Sequence, residues 1–194
     1  MKDILRRLFA ETLRRPQDAA GSVFALPLER GAWMQVLVLV LALEGILTAV
    51  QTMIMPVETE GAFAWLAVGT LPLALIKLAT MLAFAFFVTK IGRALAGTGT
   101  FDGALAMVAW LSVVSLALQV TAFLLFLLVP PLAALFILAG NIWMIWIYSS
   151  FTTALHGYDT NLKGLGVAFL TVLGVALCLS IFLVGFGLVP LEDI

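Results

Sequence analysis

The sequence predicts an all-α, polytopic membrane protein: five transmembrane helices preceded by a basic amphipathic N-terminal helix. Three observations carry that expectation. Of 194 residues, 63% are hydrophobic and 11% charged, whereas a soluble domain carries about 25% charged residues. The apolar residues fall into separate blocks of about 20 or more, the length a helix needs to cross roughly 30 Å of hydrocarbon. These blocks do not alternate apolar with polar residues, as a transmembrane β-barrel would over segments of about ten.

The chain divides into a basic cytosolic or interfacial segment (1–30), a transmembrane domain (31–188) and a short acidic outer tail (189–194). The start, MKDILRRLFAETLRRP, does not read as a cleavable signal, because Arg6, Arg7, Arg14 and Arg15 interrupt its apolar run. Ile4, Leu5, Leu8, Phe9 and Leu13 follow helical spacing, with the basic groups mostly elsewhere. That pattern suits a helix in the headgroup region whose arginines face anionic lipid. A cytosolic helix packed on the bundle is the alternative. Pro16 ends this helix or starts the next, and Trp33 is placed to anchor the interface.

The first span is expected over 31–55, closed by Pro56 and the acidic loop VETEG. The second covers 63–89 and the third 103–129. Pro130 and Pro131 then force a tight turn into the fourth, 132–155, and the fifth covers 163–188. Basic residues set the direction. Lys2, Arg6, Arg7, Arg14, Arg15, Arg30, Lys90, Arg93 and Lys163 all fall on one side, whereas the other side carries only Glu58, Glu60, Glu192 and Asp193. A five-span chain with its N-terminus inside and its C-terminus outside satisfies this division. A bacterial cytoplasmic (inner) membrane is the expected location, with the C-terminus periplasmic.

Glu44 lies in the apolar run LVLALEGILTAVQ, about 20 Å from the inner start of its span at 1.5 Å per residue. Lys77, in LPLALIKLATM, lies about 18 Å from the inner end of the next span by the same rule. An acid and a base at one depth on consecutive helices are cheapest to keep in lipid as a pair. Gln119 and Asn141 fall near mid-membrane and would complete a hydrogen-bonded cluster with them. Pro72 removes a backbone donor before Lys77 and is expected to kink the helix. Such a cluster serves as interhelical glue, as a ligand or headgroup site, or as a proton acceptor; a lysine partner disfavours the last, since it holds the carboxylate ionised.

The remaining candidates are weaker. His156, the only histidine, lacks the spaced partners of a metal or haem site and is expected in a solvated loop. Cys178 is expected as a small packing residue. Trp and Tyr favour the membrane interface, which suits Tyr148. Gly164, Ala168, Thr171, Gly174, Cys178 and Gly185 form a small-residue face on the fifth span, suited to close helix packing. Metal, cofactor and nucleic-acid motifs are lacking, and no set of catalytic groups is legible.

Several features together resemble the Yip1-domain family, in its small bacterial members. A basic segment with an Arg-Pro element (LRRPQDAA) precedes five spans. The loop before the third span reads LAGTGTFDGALAMVAW, and that before the fifth reads ALHGYDTNLKGLGVAF. The resemblance implies five spans with a cytosolic N-terminus. Eukaryotic members bind prenylated small GTPases, often as homo- or hetero-oligomers, but their acidic-Leu-Tyr-Gly-Pro motif is missing here. No catalytic residues come with the family.

Two function classes follow. The first is a non-enzymatic membrane scaffold, assembly or membrane-organising protein, with anionic lipid, a second copy or another membrane protein as partner. The second is a small-molecule, proton-coupled or lipid transporter or binder using the Glu44–Lys77–Asn141 cluster. Against the second stands the want of an inverted repeat.

Overall fold

The computed structural model describes residues 2–54 and 70–185. Among them are seven helices and no strand: α1 (Lys2–Arg14), α2 (Pro16–Phe24), α3 (Arg30–Ile54), α4 (Thr70–Ala94), α5 (Phe101–Leu128), α6 (Pro130–His156) and α7 (Asn161–Gly185). Five of these helices, α3 to α7, are long and apolar enough to cross a membrane, and the chain is a multi-pass membrane protein. Large apolar side chains such as Ile46, Leu127, Leu138 and Phe169 are exposed on their outer faces, as befits helices whose solvent is hydrocarbon. The loop VETEG, the start of the expected second span and the acidic tail lie outside the described residues.

The spanning helices pack in the order α3–α5–α6–α7–α4, and α4 also touches α3 and α5. The first half of α5 is the centre of the core. Every residue from Ala104 to Leu111 is buried, because α2, α3, α4 and α6 all pack on this helix. A stretch that is apolar all round is one with neighbours all round.

The ends of the helices have local causes. Val129 alone separates α5 from α6, and Pro130 at the first position of α6 fits where no backbone donor is needed. Thr100 caps α5 by accepting from the Gly103 amide at 3.1 Å. Helix α4 runs to Ala94, beyond the expected end at 89, and takes Lys90 and Arg93 into its last turns, where cations favour the helix dipole. It closes with Ala96 N–H on Arg93 O and Gly97 N–H on Gly92 O, both chain-reversing bonds that put Ala96 at φ +64. Helix α6 closes the same way with Gly157 at φ +67, where glycine fits without strain. Pro72 falls in the first turn of α4 as described; the kink expected there turns on preceding residues, most of which lie outside the described ones.

The N-terminal segment is a helical hairpin docked on the bundle. Helix α2 buries Pro16, Ala19, Ala20 and Val23 and packs on α5 and α6. Thr12, fully buried on α1, accepts from Trp110 Nε1 of α5 at 3.0 Å. Gln17 donates to Asn161 Oδ1 at the start of α7 at 2.6 Å. Meanwhile Arg6, Arg7, Arg14 and Arg15 are all exposed. One face of the segment therefore belongs to the bundle and the other carries the charge.

Candidate functional site

Polar side chains with specific partners gather at two levels of the bundle. One is mid-span. The other is the basic end, where Arg30, Lys90, Arg93 and Lys163 lie.

At mid-span, Trp33, Leu37, Val40, Leu41 and Glu44 form the buried stripe of α3, recurring every three to four residues as an inward helix face must. Glu44 continues that stripe, which is why a carboxylate points inward; it is 5% exposed. Lys77 of α4 donates to Glu44 Oε2 at 3.4 Å. Counted at 1.5 Å per residue from the basic ends of α3 and α4, the two lie about 21 and 25 Å deep. The lysine side chain stays half-exposed, and its ammonium has three N–H donors, one of which goes to Glu44. The structure does not draw Gln119 and Asn141 into this pair. Gln119 is exposed and donates to Ser115 Oγ, one turn back on its own helix, at 3.3 Å. Asn141 is exposed and makes no side-chain hydrogen bond among the described residues. Similar depth was legible in the sequence; the rotation of α5 and α6, which turns both amides outward, was not.

The basic end holds the tightest polar packing. His156 is 1% exposed, which corrects the expectation of a solvated loop histidine. Its Nδ1 accepts the Gly99 amide at 3.1 Å. Because Nδ1 is thereby an acceptor, the ring proton resides on Nε2, which donates to Val88 O at 3.1 Å. Tyr158 stacks on the ring at 5.4 Å and donates its hydroxyl to Gly92 O at 2.7 Å. The Thr98 amide bonds His156 O at 3.2 Å, and Arg93 Nε donates to Gly99 O at 2.8 Å. Glycines make the space. A Cβ at Gly92 would collide with the imidazole, and one at Gly97 or Gly99 would sit 2.5 Å from its atoms. The loops GTGTF and HGYD therefore interlock through a single ring. Sequence reading missed this, although three glycines within residues 92–99 signal a close approach by something.

Other positions also shift from expectation. Cys178 is exposed rather than packed, because the buried stripe of α7 runs through Gly164, Val167, Ala168, Thr171 and Val175 and stops there. Within that stripe Gly164 lies against Thr153 and the Ser149 carbonyl of α6, and beside it the half-buried Gly174 lies against Phe87 of α4. Tyr148, expected near the interface, packs edge-on against Phe84 at 4.9 Å, with its hydroxyl buried and without a hydrogen bond among the described residues. Among the described residues no group of three His, Cys, Asp or Glu side chains is placed to hold a metal ion.

Two cavities accompany these features. One, of about 210 Å³, lies between α4, α5 and α6 and is lined by apolar groups with Thr80, Ser112, Ser115 and Tyr148. The other, of about 340 Å³, opens at the basic end beside Arg30, Trp33 and Asp102. Neither is lined by Glu44 or Lys77.

The family profile described as Yip1 domain matches residues 10–184. No curated protein and no solved structure matches the chain at a significant level.

Proposed function

From the premise that this chain belongs to the Yip1 domain family, we propose that it is a non-enzymatic membrane-organising scaffold. It holds anionic lipid around a rigid helical core in a bacterial inner membrane, N-terminus cytoplasmic and C-terminus periplasmic. The observation that carries this reading is the docked N-terminal hairpin. Thr12–Trp110 and Gln17–Asn161 fasten α1 and α2 to the bundle, while Arg6, Arg7, Arg14 and Arg15 stay exposed. A fixed row of arginines at the end of a bundle concentrates anionic headgroups, at about 1 kcal/mol for each cation near the surface. The outward amide of Asn141 supports a further contact. In hydrocarbon such an amide gains from a partner on another helix, which a second copy or another membrane protein would supply.

The transport alternative rests on Lys77, whose half-exposed side chain would need a hydrated route. Neither cavity described above reaches it. The experiment reconstitutes the full chain in vesicles of mixed lipid and measures energy transfer from the protein to a fluorescent anionic lipid. Enrichment above the bulk fraction is expected, and replacing all four arginines by glutamine should abolish most of it. Unchanged enrichment would remove the lipid-gripping role. Solute flux through the same vesicles that disappears in Lys77→Met would replace the scaffold with a transporter.

A further inference from the structure

The cavity at the basic end has a chemistry that neither the fold nor the arginine row uses. It lies where the segment joining α2 to α3 meets the start of α5, with Phe24 and Leu26 on its apolar wall and Arg30, Trp33, Thr100 and Asp102 on its polar one. Arg30 Nε donates to Asp102 Oδ1 at 2.6 Å, and both side chains are about 60% exposed. An exposed pair of this kind adds little to stability. The guanidinium has five N–H groups, so four remain for another acceptor, and Asp102 keeps its second oxygen. Trp33 is 5% exposed, yet its indole N–H has no partner among the described residues. Trp33 borders this cavity, and its indole N–H retains access to solvent, so it can donate to an acceptor held there.

We propose that this cavity binds the headgroup of an amine-bearing zwitterionic phospholipid, such as phosphatidylethanolamine. The phosphate takes the free guanidinium N–H groups of Arg30 and the indole N–H of Trp33. The ammonium takes Asp102, and the glycerol end lies along Phe24 and Leu26. A cation and an anion side by side match a ligand with the opposite charges side by side. A purely anionic headgroup meets repulsion from Asp102, and a choline headgroup offers it no N–H donor. This site is separate from the arginine row of α1 and does not depend on it.

The test uses the full chain in nanodiscs holding equal phosphatidylethanolamine, phosphatidylglycerol and phosphatidylcholine, with retained lipid counted by native mass spectrometry. Wild type should retain phosphatidylethanolamine preferentially. Trp33→Phe keeps the packing and should lower its retention about fivefold, the loss of one hydrogen bond. Asp102→Asn should transfer the preference to phosphatidylglycerol, with circular dichroism checking that each variant is folded. Added glycerophosphoethanolamine distinguishes the ligand's source: displacement only at large excess supports the lipid, whereas displacement at parity assigns the cavity to a soluble zwitterion and overturns the lipid. Equal retention of all three lipids by wild type, or folded variants that retain lipid as wild type does, also overturns it.

Discussion

Replacing His156 with alanine should destabilise the bundle more than removal of any surface charge. The imidazole is fully enclosed, and truncating a large buried side chain costs about 2–5 kcal/mol. The Gly99 amide then loses its acceptor, and an orphaned buried donor costs about 1–3 kcal/mol. With some relaxation, a loss of about 4 kcal/mol is expected, which lowers the melting temperature by about 8–16 °C for a chain of this size. The assay is a thermal scan of detergent-solubilised protein read by size-exclusion fluorescence. Gly99→Ala supplies the decisive control, because its Cβ would sit 2.5 Å from His156 Cε1. Alone it should destabilise strongly. Combined with His156→Ala, the new methyl enters vacated space, so the double variant should be clearly more stable than the sum of the single losses predicts. Two strictly additive losses would show that the ring and the glycine do not share that space, and the interlock would fall.

Other predictions follow from particular contacts. Glu44→Gln or Lys77→Met alone should lower detergent stability by about 2–4 kcal/mol, since each strands the other charge, and the double variant should recover part of it; a coupling energy near zero in that cycle would mean the pair is incidental. Ala96 occupies the left-handed region at φ +64, so Ala96→Gly should stabilise by about 0.5–1 kcal/mol, whereas Gly157→Ala should destabilise by a similar amount; the same sign for both would contradict the turn geometry. Burial pushes the Tyr158 phenol above its ordinary value of 10.0. The folded chain therefore keeps a proton that the unfolded chain releases, and this contribution is complete below about pH 10 and fades as pH rises further. Tyr158→Phe should flatten the alkaline limb of a stability–pH curve, and an unchanged limb would place the loss elsewhere.

The fold was legible because hydropathy is local. Long apolar blocks and the Pro130–Pro131 turn identify spanning helices whatever their neighbours do. Glu44 and Lys77 were legible because a mid-span acid and base on consecutive helices have few other solutions. Gln119 and Asn141 matched them in depth but not in rotation, and depth is all that counting along a helix yields. His156 was missed for a related reason. Its surroundings come from residues 88–99, far away in the chain, and a histidine beside Gly-Tyr-Asp looks like a loop residue until those glycines close over it.

By itself, then, the sequence determined the solvent of this protein and the number of times it is crossed, since burial in hydrocarbon is a sum over each helix alone. Tertiary structure decided which polar groups face one another, which hydroxyls and amides stay unpartnered, and that the N-terminal hairpin docks while its arginines remain exposed. Those outcomes depend on how each helix is turned about its axis, and that turn is set by rings and glycines contributed from distant parts of the chain.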